Sequence, residues 1–407
     1  MNSSLYIHIP FCKKKCDYCD FFSIGESDRA GKKNDLSDAY ISAVLKETRS
    51  YADFYKISAW NTVYVGGGTP SLLSPRQIFD LISGIQKIAP LAENAEITVE
   101  MNPDDVKEQF LEACKKAGVN RISMGIQALD DRALCAVNRG SSVKIILHAL
   151  EALDKHWNGR LSVDFIAGLP AHSWKNFEGQ FEILKEYPKI DHVSLYTLTV
   201  EENTPLWKKI EDGKVCFSYE KADRMWIRGR NILEKLGFEH YEVSNFAKKG
   251  FESRHNQTYW NQKNYIGVGA GASGTWYDFG EEKTASRWTN SLSIPAYING
   301  AEKESFSEQK NLSFLARKLE LLDEKTLEFE FLMLGFRKTA GVSENDFYSR
   351  FKKSLASRIG ADFPDGVFSQ WKKKRLAVEK STPEGDTVYA LNRRGILLLN
   401  RFLEELI

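Results

Sequence analysis

The sequence has no apolar run long enough to span a membrane, and its first residues lack the apolar core of a secretory signal peptide. Its charge is nearly balanced, with 56 Lys and Arg against 55 Asp and Glu, so no general attraction to nucleic acid or anionic membranes is expected. A disulfide framework is disfavoured because the chain is long enough to bury its own core. These absences predict an intracellular, cytoplasmic protein that works in a reducing compartment and does not bind nucleic acid.

Three of the six cysteines lie together near the start of the chain. Cys12, Cys16 and Cys19 have the spacing C-x3-C-x2-C and follow a short apolar strand pattern. Three thiolates on one loop can hold three irons of a cubane 4Fe–4S cluster and leave the fourth iron open for another ligand. Structural zinc usually takes four ligands in two separated pairs, and no second pair follows. We therefore predict an iron–sulfur cluster, with zinc and three unrelated buried cysteines as the alternatives.

Strand and helix patterns alternate about six times over residues 5–243, which predicts parallel βα units in an open sheet or a barrel. Residues 246–300 are rich in Gly, Asn, Trp and Tyr and predict loops and short strands. A helix is predicted over 318–336, followed by short helices and a hairpin at Pro383–Asp386. We therefore expect three parts, namely a core over 1–245, a closing segment over 246–315 and a C-terminal module over 316–407.

The cysteine motif, together with Asp20-Phe21 after it, resembles that of the radical S-adenosylmethionine (SAM) enzymes. The preceding Tyr6-Ile7-His8-Ile9-Pro10-Phe11 is similar to the branch that contains oxygen-independent coproporphyrinogen III oxidase and the HemW-type heme chaperone. The resemblance implies an α/β fold, namely a partial (β/α)6 TIM-like barrel with a small C-terminal winged-helix-like α+β module. The resemblance also implies that SAM chelates the open iron. One electron from the cluster would then cleave SAM to methionine and a 5′-deoxyadenosyl radical.

The resemblance assigns cofactor contacts to residues that follow the predicted strands, where βα barrels carry their functional side chains. Gly66, Gly67 and Gly68 resemble the loop that binds the methionyl amino group, although a tight turn also explains a glycine run. Glu100 ends the next strand, where it would accept hydrogen bonds from ribose hydroxyls or simply be a solvated strand end. The full set of expected SAM contacts is Tyr6, Tyr18, Gly67, Gly68, Thr69, Glu100, Thr197 and Ser273.

A second SAM pocket of the oxidase branch matches Gln127, Arg139 and Asp164. Asp164 lies inside an apolar strand, where a charge is costly unless it is paired. Arg139 and Asp164 would therefore form a structural ion pair if they do not bind the cofactor.

Three features favour the chaperone over the oxidase. Phe21 stands where the oxidase has a further cysteine, and the cysteine loop begins so early that we expect the oxidase's N-terminal extension to be absent. The stretch His255-Asn256-Gln257-Thr258-Tyr259-Trp260 resembles the H-N-x-x-Y-W motif of the chaperone branch. Asn392-Arg393-Arg394-Gly395 resembles the start of that branch's terminal helix.

The resemblance thus implies a heme chaperone that binds a 4Fe–4S cluster, SAM and heme and transfers heme to acceptor hemoproteins, respiratory ones included. His255 is then a candidate axial heme ligand, because imidazole binds heme iron, although a lone His beside aromatic residues is often structural. Flavodoxin or ferredoxin is the implied electron donor. Coproporphyrinogen III oxidase or another radical SAM enzyme is the alternative, and the sequence leaves open whether SAM is cleaved.

Overall fold

The computed structural model describes residues 1–25, 33–303 and 316–407. Its strands are β1 (Asn2–Ile9), β2 (Ala59–Gly67), β3 (Leu91–Met101), β4 (Arg121–Gln127), β5 (Arg160–Ala167), β6 (Ile190–Thr197), β7 (Glu239–Glu242), β8 (Asn245–Ala247), β9 (Tyr265–Val268), β10 (Ser273–Asp278), β11 (Thr284–Asn290), β12 (Ala316–Leu322), β13 (Val342–Ser343), β14 (Ala377–Ser381) and β15 (Thr387–Leu391).

The helices follow the strands in the order that the alternating pattern predicts. They are α1 (Lys33–Phe54), α2 (Pro75–Ile88), α3 (Glu108–Lys116), α4 (Asp131–Ala136), α5 (Val143–His156), α6 (Trp174–Gly179), α7 (Ile183–Glu186), α8 (Pro205–Glu211), α9 (Tyr219–Lys235), α10 (Arg254–Trp260), α11 (Ile294–Lys303), α12 (Glu324–Gly335), α13 (Glu344–Phe351), α14 (Leu355–Ile359), α15 (Val367–Lys373) and α16 (Leu399–Glu404).

The predicted partial barrel of six βα units is confirmed. Strands β1 to β6 are parallel neighbours in chain order within a 12-stranded sheet. Strand β9 extends this parallel part beside β1, and antiparallel strands complete both edges. Among the described residues the edge strands β12 and β7 do not pair with each other, so the barrel is open. All six carboxyl ends therefore meet at one rim, which we call the strand-end rim.

The two faces of the parallel strands differ in polarity. In β4, Ile122 and Met124 belong to the main hydrophobic core with the covering helices, whereas the alternate residues Arg121 and Ser123 are polar. We call the polar face, on which Ser123 contacts Asp164 of β5, the inner face. Side chains on the inner face that lie near the strand-end rim are positioned to meet a ligand.

Two predictions about the later part of the chain were wrong. Residues 246–300 contain the helices α10 and α11 as well as short strands. Helix α10 begins where Ser253 accepts from the backbone N–H of Asn256 and the distant Glu96 carboxylate accepts from the N–H groups of Arg254 and His255. The helix predicted over 318–336 was wrong only at its start: residues 324–335 form α12, whereas residues 318–322 belong to strand β12 because they pair with β11 across Trp288 and Leu319.

A second hydrophobic core runs from Tyr277 to Leu406 and includes Phe331, Phe347 and Trp371. It lies between helices α12–α16 and a three-stranded sheet in the order β13-β15-β14. Strands β14 and β15 form the predicted hairpin, so the C-terminal module is α+β as expected. The division at 245 and 315 stays a prediction, and residues 304–315 lie outside the described part. No helix in the described ranges has the length and apolarity needed to cross a membrane.

A buried carboxylate holds the turn after β9 against helix α1. Glu47 is fully buried and accepts hydrogen bonds from the Gly269 N–H at 2.9 Å, from the Asn290 amide at 2.6 Å and from the Tyr297 hydroxyl. Burial raises the pKa of Glu47 to about 7, and the three donors act in the opposite direction. The Gly-rich turn is therefore fixed beside the backbone of His8, which belongs to β1.

Candidate functional site

The cysteine loop follows β1 and is anchored at several points. The Ile24 N–H donates to the Pro10 carbonyl at 2.8 Å, and the Cys12 N–H donates to the Ile24 carbonyl at 3.0 Å, which closes the loop at its base. Asp17 fixes the middle, because its N–H bonds to the Val137 carbonyl and its carboxylate pairs with Lys209 at 2.5 Å. These contacts hold the loop at the strand-end rim.

The loop presents its three thiols among hydrogen-bond donors. Cys12 and Cys16 are 8% and 7% exposed, and Cys19 is half-buried. The Thr69 hydroxyl donates to Cys12 Sγ at 3.6 Å, and Arg139 Nη1 donates to Cys16 Sγ at 3.6 Å. Burial raises the pKa of the Cys19 thiol to about 11, with a smaller contribution from Cys16 and Cys12. The Thr69 hydroxyl and the Arg139 guanidinium are donors that stabilise thiolates. The loop therefore suits the binding of a soft metal.

The chemistry of the three thiols fits the predicted 4Fe–4S cluster. Cys12, Cys16 and Cys19 are soft sulfur donors on one loop, and a cubane cluster takes one thiolate at each of three irons. Within residues 1–25, 33–303 and 316–407, no three His, Cys, Asp or Glu side chains are grouped as ligands of a single metal ion.

The glycine run after β2 lies directly against the cysteine loop. The Gly68 N–H donates to the Ile9 carbonyl at 2.8 Å, and a Cβ there would lie 2.8 Å from the Phe11 carbonyl oxygen. Gly67 has φ +108°, and a Cβ would lie 2.5 Å from the His8 ring. Close packing by the protein itself therefore explains the absence of side chains here, and contacts of Gly67 and Gly68 with SAM stay predictions.

Glu100 ends β3 on the inner face and faces the glycine run. Its Oε1 accepts from the Tyr64 hydroxyl at 2.7 Å, and its Oε2 accepts from the Gly67 N–H at 3.1 Å. Burial raises the pKa of Glu100 to about 7, while the hydrogen bond from Tyr64 lowers it. The residue as a whole is half-buried at the rim. An oriented carboxylate of this kind can accept hydrogen bonds from vicinal hydroxyls.

Tyr6 is linked to the cysteine loop through His8. The His8 Nε2 lies 2.8 Å from the Phe22 carbonyl, and its Nδ1 lies 2.9 Å from the Tyr6 hydroxyl. Because a carbonyl oxygen only accepts, Nε2 carries the proton and Tyr6 donates to Nδ1. Burial lowers the pKa of His8, which favours this neutral tautomer. His8 is a site residue that the sequence analysis missed, although it shares a face of β1 with Tyr6, two residues earlier.

Arg139 and Asp164 do not form the ion pair that was considered for them. Arg139 Nη2 donates to the Asn102 side chain at 2.7 Å and to the Gly125 carbonyl at 2.8 Å, in addition to Cys16. Asp164 instead accepts from the Ser123 hydroxyl at 3.3 Å, and burial raises its pKa. Arg139 therefore connects the cysteine loop to the ends of β3 and β4. Asn102, which this connection requires, was missed because an amide after a strand resembles an ordinary turn residue.

The remaining predicted contacts lie at the same rim. Gln127 ends β4 with φ +69°, and its amide lies beside Gly125. Burial raises the pKa of Tyr18, which lies close to Cys16. Thr197 ends β6 opposite Ala167, and Ser273 begins β10 with its hydroxyl 2.8 Å from that of Thr289. Thr69 bridges Cys12 and the Asn102 amide, which donates to it at 3.1 Å.

His255 contacts β2 at Thr62, two residues farther from the rim than Tyr64, and its ring lies 6.5 Å from that of Tyr6. It is 1% exposed, with Nδ1 2.7 Å from the Thr62 hydroxyl and Nε2 2.8 Å from the Tyr259 hydroxyl. Its ring stacks on Tyr64 at 4.9 Å, and burial lowers its pKa to about 3. Since both ring nitrogens are occupied and the ring is enclosed, this arrangement does not present His255 to a porphyrin iron. The expectation that it is an axial ligand is therefore not supported by its surroundings.

Residues 6–184 match the model of the Radical SAM superfamily. The chain is 33% identical over 359 residues to the heme chaperone HemW of Lactococcus lactis, covering 88% of this chain and 87% of that protein. It is 32% identical to the heme chaperone HemW of Bacillus subtilis, over 99% of this chain and all of that protein. A mitochondrial radical SAM domain-containing protein 1 of Danio rerio is 33% identical over 84% of the chain.

A solved structure is similar over the whole chain. Coproporphyrinogen III oxidase (HemN) of Escherichia coli superposes with a TM-score of 0.78 and 19% identity, covering 100% of this chain and 90% of that one. At this identity the likeness shows the fold alone, and it agrees with the six parallel strands and the C-terminal module. The assignment to a family within this fold rests on the sequence identity to two HemW proteins along most of their length. The chain therefore belongs to the HemW family of heme chaperones within the radical SAM superfamily.

Proposed function

We propose that the protein binds a 4Fe–4S cluster and SAM at the strand-end rim, binds heme, and transfers heme to acceptor hemoproteins. The observation that carries the proposal is the convergence of the three-cysteine loop, Glu100 and Arg139 at one rim in a member of this family. Cys12, Cys16 and Cys19 would hold the cluster, which when bound supplies an electron to SAM.

The other rim residues would bind and orient SAM. Glu100 would accept from the ribose hydroxyls, since Tyr64 and Gly67 already fix its orientation. Gln127, Arg139 and Asp164 would line the neighbouring position, where the oxidase branch carries a second SAM. Flavodoxin or ferredoxin is the proposed electron donor, and respiratory hemoproteins are among the proposed heme acceptors. We place the protein in the cytoplasm because an oxygen-sensitive cluster needs a reducing compartment.

The chaperone and oxidase functions can be separated by experiment. Phe21, which stands where the oxidase has its further cysteine, is 63% exposed and gives the loop no fourth thiol. Anaerobically reconstituted protein with SAM, a low-potential reductant and coproporphyrinogen III is expected to form no protoporphyrinogen over many turnovers, because decarboxylation needs a precisely placed radical. The same preparation is expected to bind heme and pass it to apomyoglobin, followed by absorption. Sustained turnover of coproporphyrinogen III would overturn the proposal.

His255→Ala is expected to leave heme affinity unchanged and to lower stability. The substitution removes the bonds to Thr62 and Tyr259 and empties buried space, which costs about 2–4 kcal/mol of unfolding free energy. Heme titration followed by absorption, and urea unfolding of the same samples, measure both effects. His148→Ala is a matched control, since His148 is exposed and its only described ion pair is with Glu151. Loss of heme binding in a folded His255→Ala protein would restore His255 as a ligand.

A further inference from the structure

The inner face contains a buried guanidinium that the proposed SAM site does not use. Arg121, the first residue of β4, is 2% exposed and is among the largest fully buried side chains of the described chain. Among the described residues, the Nε atom of Arg121 has no hydrogen-bond partner. A buried, permanently charged group needs compensating charge nearby.

The strand register places Arg121 between two levels of carboxylates. Arg121 pairs with Thr98 of β3, and Thr98 lies midway between Glu96 and Glu100. Residues two apart on a strand share a face, so the three β3 side chains lie on the inner face beside Arg121. One step nearer the rim on β4 is Ser123, which pairs with Glu100. Arg121 thus lies directly below the level of Glu100, on the side away from the rim.

Asp164 completes this cluster from β5. Its carboxylate accepts from the Ser123 hydroxyl, and the register pairs Asp164 with Gly125, one level nearer the rim than Glu100. Arg121 pairs with Arg160 on β5, four residues before Asp164. Arg160 already has a partner, because its Nη1 lies 3.0 Å from Glu96 Oε2. Glu96 is therefore paired with Arg160, and the positive charge of Arg121 acts on Glu96 as well as on Glu100 and Asp164, which lie nearer the rim.

The two rim carboxylates accept hydrogen bonds from neutral donors. Glu100 accepts from Tyr64 and Gly67, and Asp164 accepts from Ser123. Burial raises the pKa of Glu100 to about 7 and also raises the pKa of Asp164, while the positive charge of Arg121 lowers both. Ionisation of both carboxyls near neutral pH therefore depends on a nearby positive charge.

We propose that Arg121 is a positioning residue, the counter-ion that keeps Glu100 and Asp164 ionised in the pH range in which the protein binds SAM. The inference rests on the proposed SAM site at Glu100. An ionised carboxylate can accept from ribose hydroxyls while it still accepts from Tyr64 and Gly67. A protonated Glu100 loses acceptor capacity and carries a hydrogen that would have to be accommodated at the rim.

Other groups that face the two carboxyls do not replace Arg121. Arg139 lowers the pKa of Asp164 but is bonded to Cys16, Asn102 and Gly125. Glu242 and Glu100 both act on Tyr196 from the same interior, so Glu242 adds only negative charge. The tyrosines on which Glu100 acts stay neutral because burial raises the pKa of each: Tyr6, Tyr64, Tyr196 and Tyr259. The imidazoles of His255, stacked on Tyr64, and of His8, beside Gly67, add no positive charge because burial lowers the pKa of both.

The test is the pH dependence of SAM binding to the reconstituted holoprotein between about pH 5.5 and about pH 9.5. In Arg121→Met the pH midpoint of SAM affinity is expected to move upward by about 1–2 pH units, because removal of the positive charge raises the carboxyl pKa. Near pH 7 the variant then binds SAM about tenfold more weakly, and affinity returns towards wild type as the pH rises. Arg121→Lys keeps the charge and is expected to keep the wild-type midpoint.

A merely structural role for Arg121 would lower affinity at every pH and leave the midpoint unmoved, and that result would overturn the proposal. Arg160→Met is the matched control, since it removes a neighbouring guanidinium that is paired with Glu96, and its midpoint is expected to stay near wild type. If Arg121→Met does not fold, Arg121→Met/Glu96→Gln removes one buried charge of each sign and carries the same test. Wild-type protein that binds no SAM at any pH would instead refute the proposed site.

Discussion

Cys16→Ser is expected to abolish the complete iron–sulfur cluster and, with it, SAM binding. Cys16 is one of three thiols on the loop, its sulfur accepts from Arg139, and it is 7% exposed. Serine is a hard oxygen ligand that replaces thiolate poorly at iron, so the cluster would be held at two corners only. The SAM amine and carboxylate would then lose the open iron on which the proposed chelation depends.

The measurement is iron and sulfide analysis after anaerobic reconstitution, together with SAM binding on the same sample. Wild type is expected to hold about four irons and four sulfides per chain, and Cys16→Ser well under half of that. Cys135→Ser is the matched control, because Cys135 is exposed and lies on α4 outside the loop. A full cluster in Cys16→Ser, or an equal loss in Cys135→Ser, would contradict the assignment of the loop.

Local signals in the sequence predicted the parallel core closely. Helix α2 begins at Pro75 because Ser74 and Gln77 form a reciprocal cap, and both the Ser and the Pro were visible. Helices α3 and α9 are followed by Gly118 and Gly237, whose φ values of +85° and +86° suit glycine at a helix end. Such elements are specified by residues within a few positions of each other, so a single sequence is enough to predict them.

Elements that depend on distant partners were not predictable in this way. Helix α10 begins on the carboxylate of Glu96, which precedes His255 by 159 positions. Glu47 fixes the turn at Gly269, 222 positions later. The sequence of Lys318–Leu322 is also compatible with a helix. It forms part of strand β12 because β11 lies beside it and pairs with it. In each case the deciding contact joins parts of the chain that only the complete fold brings together.

The same distinction applies to the rim. Positions in the C-terminal halves of parallel strands predicted that Glu100, Gln127 and Asp164 would converge, because the topology places these strand ends together. The hydrogen-bond partner of each side chain depends on the complete fold. In that fold Arg139 donates to Cys16 and Asn102 and does not pair with Asp164. Whether these side chains bind SAM stays a prediction that substitution can test.

Glu100→Ala is expected to weaken SAM binding by roughly 1.5–3 kcal/mol, about ten- to a hundredfold, the range for hydrogen bonds to a charged group. The Glu100 carboxylate is oriented by hydrogen bonds from Tyr64 at 2.7 Å and from Gly67 at 3.1 Å. Removing it deletes the proposed acceptor for the ribose hydroxyls and also frees the Gly67 N–H beside the cysteine loop. Calorimetric titration of the reconstituted protein with SAM measures the change at constant cluster content.

Two companion variants separate the contact from general damage to the rim. Tyr64→Phe removes only the hydroxyl that orients Glu100, so its loss of SAM affinity is expected to be a fraction of that in Glu100→Ala. Glu112→Ala removes an exposed carboxylate on α3 whose partner is Lys115, and SAM affinity is expected to stay unchanged. Wild-type affinity in a cluster-replete Glu100→Ala protein would rule out the contact. The loss is expected to be larger in Glu100→Ala than in Tyr64→Phe because only the former removes the group that meets the ligand.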